Sequence, residues 1–124
     1  MGERTFYKET GKEMTVREIV ESFNLKVFTG EQGLDNPVEG GYTSDLLSDV
    51  MGYADAGRVW ITLQTHKNIM AIASLKELAA VLLVKGFEPD QDTKALAEKE
   101  GIPILGTTEQ AFEISGRLYR LLNP

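Results

Sequence analysis

The chain has 124 residues, 42% apolar and 26% charged, with a net charge of −6, the size and make-up of one globular domain able to bury its own core. So acidic a surface gains little from counterion release, which sets aside nucleic acid and anionic membranes as partners, and the absence of cysteine removes disulfides, thiolate-held metals and cysteine nucleophiles. No apolar run approaches the ~20 residues that span a bilayer, and the start Met-Gly-Glu-Arg-Thr is no signal peptide, so the expected compartment is the cytoplasm.

Residues 1–13 read as a polar lead-in, and 14–124 as a single α/β domain. Thr15 and Glu18 have capping-box spacing, and Val16, Ile19, Val20 and Phe23 follow on one helical face. Leu25 to Phe28 is a short strand. Gln32 to Tyr42 is turn chemistry around a brief strand at Val38. Ser44 or Asp45 is expected to cap a helix carrying Leu46, Leu47, Val50 and Met51, ended by Gly52 or Gly57. Val59 to Leu63 is a strand, and a helix runs from about Lys67 to Leu75.

Ala80-Val-Leu-Leu-Val84 is continuously apolar, the pattern of a strand buried on both faces, and Gly86 stops it. Pro89-Asp90 opens a helix through Glu100, with Gly101 where a left-handed cap belongs. Ile102 to Leu105 is a further strand, and Thr107 or Thr108 is expected to cap the last helix. That helix carries Ala111, Ile114, Leu118 and Leu121 on one side and Phe112, Tyr119 and Leu122 on a neighbouring side. The alternation predicts a three-layer α/β fold, a mostly parallel sheet with helices on both faces. Val59–Leu63, Ala80–Val84 and Ile102–Leu105 should then be mutually parallel.

In such sheets ligands sit beyond the carboxyl ends of the strands, against the starts of the following helices. Three polar junctions belong there, which makes Thr43, Ser44, Asp45, Thr62, Gln64, Thr65, His66, Asn68 and Thr107 the candidate ligand residues. Each has a plainer reading: Ser and Thr punctuate helices, and Asp45 complements a helix dipole. His66 is the only imidazole, and an uncharacterised enzyme using His66 with Asp45 or Thr65 is the rival reading. Against it, no nucleophile-elbow pattern is present, and no metal-ligand spacing, dinucleotide glycine pattern or P-loop occurs. Trp60 lies within a strand and is expected in the core, although its neighbourhood and the last helix are also candidate subunit contacts, with Phe6, Tyr7 and Tyr119.

Gly41-Tyr-Thr-Ser-Asp-Leu-Leu-Ser48, Val59-Trp-Ile-Thr-Leu-Gln-Thr-His-Lys-Asn-Ile69, Ala71-Ile-Ala-Ser-Leu75 and Glu100-Gly-Ile-Pro-Ile-Leu105 together resemble the DRTGG domain family, over about residues 14–122. The resemblance extends to the amino-terminal domain of HPr kinase/phosphorylase and to regulatory segments of some phosphotransacetylases. It implies a layered α/β fold like that HPr kinase domain and a regulatory or sensing role, since such domains accompany CBS domains, which bind adenosine nucleotides. Gln64-Thr-His-Lys-Asn68 stands where relatives carry Asp-Arg, and Val84-Lys-Gly86 where they carry Thr-Gly-Gly. The kinase domain has no counterpart in these 124 residues, so the resemblance carries no kinase activity.

The expected function is therefore a non-catalytic regulatory domain. It would bind a small nucleotide- or phosphate-like ligand at the strand ends and act through a homodimer or on a partner enzyme or kinase. A ligand-free assembly module is the remaining alternative. The sequence names no cofactor.

Overall fold

The structure is a computed structural model that describes residues 13–124. Helix α1 (Val16–Phe23) begins on the expected capping box: the Glu18 amide donates to the Thr15 hydroxyl, and the Thr15 amide donates to Glu18 Oε1 at 3.0 Å. The chain continues through β1 (Lys26–Thr29), β2 (Gly40–Thr43), α2 (Leu47–Tyr53), β3 (Arg58–Thr62), α3 (Asn68–Leu75), β4 (Ala80–Leu83), α4 (Gln91–Glu100), β5 (Ile104–Gly106) and α5 (Ala111–Leu122).

One five-stranded sheet has the order β1-β5-β4-β3-β2. Strands β2, β3, β4 and β5 are parallel, in a register that aligns Ile61 with Leu82 and Leu82 with Leu105; for β3, β4 and β5 the parallel arrangement is the expected one. Strand β1 closes the far edge antiparallel to β5. Alternation along the strands sorts the core into two halves. Val59, Ile61, Leu82 and Leu105 face α1 and α5 through Val16, Ile19, Ile114, Leu118 and Leu122. Trp60, Val81, Leu83 and Ile104 face α2, α3 and α4 through Val50, Ile69, Met70 and Ala97. The fold is thus three-layered α/β, with helices on both faces.

Several local expectations are corrected. Strand β2 is built from Gly40-Gly-Tyr-Thr43, which reads as turn chemistry, while the place expected for a strand, around Val38, contributes only the bridge of Pro37 to Thr15. Helix α2 is not capped by Ser44 or Asp45: it starts one step later, behind Leu46, and ends at Ala54 instead of a glycine. Ser44 Oγ instead accepts from the Leu46 amide, and Leu46 and Met51 are exposed. Likewise neither Thr107 nor Thr108 caps α5, whose first cap position is Gln110; Thr107 Oγ1 accepts from the Glu109 amide just before it. Trp60 is fully buried, its indole N–H donating to the Ser44 carbonyl at 2.8 Å, so it faces no second subunit. Phe6 and Tyr7 lie outside the described residues.

Candidate functional site at the carboxyl edge of the sheet

The carboxyl ends of the four parallel strands share one edge of the sheet. At its β2–β3 end, Asp45 forms a compact network. One carboxylate oxygen accepts from the buried Thr62 hydroxyl at 2.8 Å and from the Leu63 amide at 2.9 Å, while the Gln64 side-chain amide donates to the Asp45 carbonyl at 2.8 Å. The Thr62 hydroxyl in turn accepts from the Gln64 amide. Asp45 therefore ties the loop after β2 to the loop after β3. Just inside, the Tyr42 hydroxyl donates to Asp49, and that bond to a carboxylate raises the phenol above its ordinary range.

The next two candidates engage α4. The Thr65 carbonyl accepts from the fully buried Thr93 hydroxyl and from the Asp90 amide. His66 Nδ1 lies 3.3 Å from Asp90 Oδ2, with the ring 76% exposed. The imidazole thus meets Asp90, a residue absent from the expected set, in place of Asp45 or Thr65. Asn68 is exposed on the first turn of α3, beside a groove shared with α4. Thr43 points along the outer rim, sharing a 2.7 Å hydrogen bond with Ser115 of α5.

Thr107 stands apart from these, in a cleft of ≈ 430 Å³ at the β4–β5 end. Its position follows from the topology. The chain leaves β4 for α4 on one face of the sheet and leaves β5 for α5 on the other, and such a divergence opens a crevice beyond the strand ends. The floor is stitched by backbone bonds: the Thr107 amide to the Leu83 carbonyl, the Gly86 amide to the Thr107 carbonyl, and the Lys85 amide to the Glu109 carbonyl. Because β1 runs antiparallel, its first residues reach this same edge and supply Lys26 and Phe28 to the wall of the cleft, which Phe23 and Phe87 also line.

Here a ring and a charge come together. The Lys26 ammonium sits 4.7 Å from the centre of the Phe28 ring, and Phe87 is 42% exposed. Gly106 makes room for the Phe28 ring, since a Cβ there would come within 2.5 Å of it. Lys85 and Gly86 both adopt left-handed backbone, φ +59° and +75°. That is the conformation glycine supplies most readily, which accounts physically for a glycine pair in the Thr-Gly-Gly of the family pattern; this chain holds it with a lysine. Lys26, Phe28 and Phe87 were not readable as site residues, because only the antiparallel pairing of β1 carries the first two to this edge. Among the described residues no cluster of three His, Asp or Glu side chains is arranged to hold a metal ion, and no helix is long and apolar enough to cross a membrane.

A three-layer α/β domain with a cleft at the carboxyl ends of its parallel strands is the class that fold and site define. The chain belongs to the DRTGG domain family, whose pattern matches residues 18–121. It is similar to the HPr kinase/phosphorylase of Exiguobacterium sibiricum, 27% identical over 123 residues, covering 85% of this chain and 39% of that protein. The Levilactobacillus brevis HPr kinase/phosphorylase is 31% identical over 112 residues, covering 76% of this chain and 35% of that protein. The chain therefore spans well under half the length of the curated relatives it matches. Among solved structures, it shares its fold with part of the chain that comprises the CBS and DRTGG domains of the regulatory region of Clostridium perfringens pyrophosphatase, complexed with activator, diadenosine tetraphosphate. The TM-score is 0.64 at 16% identity, over 84% of this chain and 45% of that one.

Proposed function

We propose that the chain is a non-catalytic, cytoplasmic regulatory domain that binds a small nucleotide- or phosphate-like ligand at the carboxyl edge and acts through a dimer or on a partner enzyme. The observation that carries this reading is the β4–β5 cleft, whose lining brings the Phe28 and Phe87 side chains together with the Lys26 ammonium, an apolar surface for a heterocycle beside a cation for a phosphate. Thr107 lines the same cleft, and its neighbour Thr108 adds a second hydroxyl. The other expected ligand residues, Thr43, Ser44, Asp45, Thr62, Gln64, Thr65, His66 and Asn68, lie outside the lining of this cleft, at the strand ends and helix starts further along the edge. The regulatory setting of the pyrophosphatase DRTGG domain, in a region complexed with a dinucleotide activator, supports the same direction.

The test is a thermal-shift series with adenosine nucleotides, diadenosine tetraphosphate and acyl phosphates. A ligand at about 100 times its dissociation constant adds ~2.7 kcal/mol. With an unfolding entropy of about 0.26 kcal/mol/K for a chain this size, that is roughly 10 °C. Lys26→Glu is expected to abolish the shift while leaving the ligand-free melt in place. Absence of any shift at millimolar concentration, or a shift that Lys26→Glu leaves intact, overturns the reading.

A further inference from the structure

Beside its core-facing residues, α5 carries a second stripe, spaced i, i+3, i+4, i+7, formed by Phe112, Ser115, Gly116 and Tyr119, on the side toward the edge strand β2, where Ser115 bonds Thr43. Its ends are aromatic and open: Phe112 is 85% exposed and Tyr119 71%. Its middle is small, and a Cβ at Gly116 would meet nothing within 4 Å. Between this stripe and the edge strand β2 runs a groove of ≈ 670 Å³. Glu113 and Arg120 flank the stripe on one side, and neither enters an ion pair with another described residue. Arg117, by contrast, is engaged by Glu109 and lies over the Phe23 ring.

We propose that a second copy of this chain occupies this surface, with α5 packed antiparallel on its symmetry mate about a two-fold axis at Ser115–Gly116. Two i, i+7 pairs of complementary chemistry argue for it. In an antiparallel pair, residues equidistant from the axis face each other. The midpoint of Phe112 and Tyr119 falls between Ser115 and Gly116, so each aromatic end meets the other kind across the interface. The midpoint of Glu113 and Arg120 falls between Gly116 and Arg117, one residue away, so across that axis the two charges meet with an offset of two residues, ~3 Å, which their long side chains span. A two-fold that pairs the rings therefore also pairs the charges, twice by symmetry. The small residues lie at the crossing, where the two backbones approach most closely. Aromatic side chains along the contact stripe with charges at its margin is the composition of a specific interface.

This deepens the association half of the reading above and is independent of the ligand. Light scattering at micromolar concentration is expected to give twice 13.7 kDa for the chain. Glu113→Arg alone and Arg120→Glu alone each place like charges across the axis and are expected to raise the dimer dissociation constant at least tenfold. The doubly reversed protein, E113R with R120E, restores the pairing and is expected to recover the dimer, with circular dichroism unchanged throughout. A mass of 13.7 kDa at every concentration overturns dimerisation altogether. A dimer indifferent to the single reversals, or singles that weaken it without rescue in the double, overturns this interface while leaving dimerisation standing.

Discussion

Replacing Asp45 by alanine separates a structural carboxylate from one held for a ligand. In the folded chain this carboxylate accepts two hydrogen bonds, from the Thr62 hydroxyl and the Leu63 amide. Thr62 is 1% exposed, so its hydroxyl loses a charged acceptor in a place water reaches poorly, a cost of about 1.5–3 kcal/mol. The Leu63 bond is exposed and contributes at the low end, about 0.5–1 kcal/mol. The sum, roughly 2–4 kcal/mol, divided by an unfolding entropy near 0.26 kcal/mol/K, lowers Tm by about 8–15 °C. Asp45→Asn keeps an acceptor oxygen but not the charge and is expected to cost about half as much. Calorimetric melts of the three proteins at neutral pH measure this directly. If Asp45→Ala melts within 3 °C of the parent, the network does not stabilise the fold, and its carboxylate is to be counted among the ligand groups.

Two further outcomes follow from particular contacts. Glu98 accepts from the Thr29 hydroxyl at 2.5 Å and the Gly30 amide at 3.1 Å, and these bonds hold its carboxyl below the ordinary value of 4.5. A depressed folded value means that the contribution is present above the unfolded value and is lost as pH falls through the folded one. Melts of Glu98→Gln should therefore vary less with pH below about 4.5 than those of the parent, and parallel curves would refute the assignment. Gly30 is left-handed at φ +79°, and a Cβ there would lie 2.4 Å from the Ile102 carbonyl oxygen, an atom of rigid backbone. Gly30→Ala is expected to cost about 2–5 kcal/mol in denaturant unfolding, combining left-handed strain with overpacking, and a loss under 1 kcal/mol would contradict it.

The parts of the fold legible from sequence are those where burial imposes a pattern. Ala80–Leu83 is buried on every residue and reads as a continuous apolar run, and α4 carries its punctuation at both ends, Pro89-Asp90 and Gly101. Strand β2 escapes such reading because two of its four residues are glycines, which pack little and favour turns; backbone pairing with β3 holds them instead. The threonines near α5 mislead for a different reason: a hydroxyl bonding a backbone amide two residues on looks, in sequence, like a helix cap. The polar knot after β3 is visible as a cluster, but its internal pairing, Asp45 with Thr62 and Gln64, is visible only once β2 lies beside β3. The β4–β5 cleft is the least legible. It depends on an antiparallel β1 and on helices departing to opposite faces, and no local pattern encodes either.

The stitching of the loops after β4 and β5 bears on how a message leaves this domain. A floor whose amides already bond across it has little left to order, so an occupant there spends small conformational entropy on the backbone and chiefly immobilises the Phe87 and Lys26 side chains. The sheet beneath, paired on both sides at β4 and β5, is a stiff plate that bends poorly. What remains free to respond are the two helices rooted in that floor. Glu109, stitched through its carbonyl to Lys85, lies two residues before α5 and also holds Arg117 one face along that helix. Glu109 thus joins the floor of the cleft to the first turns of α5, the helix on which Phe112 and Tyr119 stand exposed.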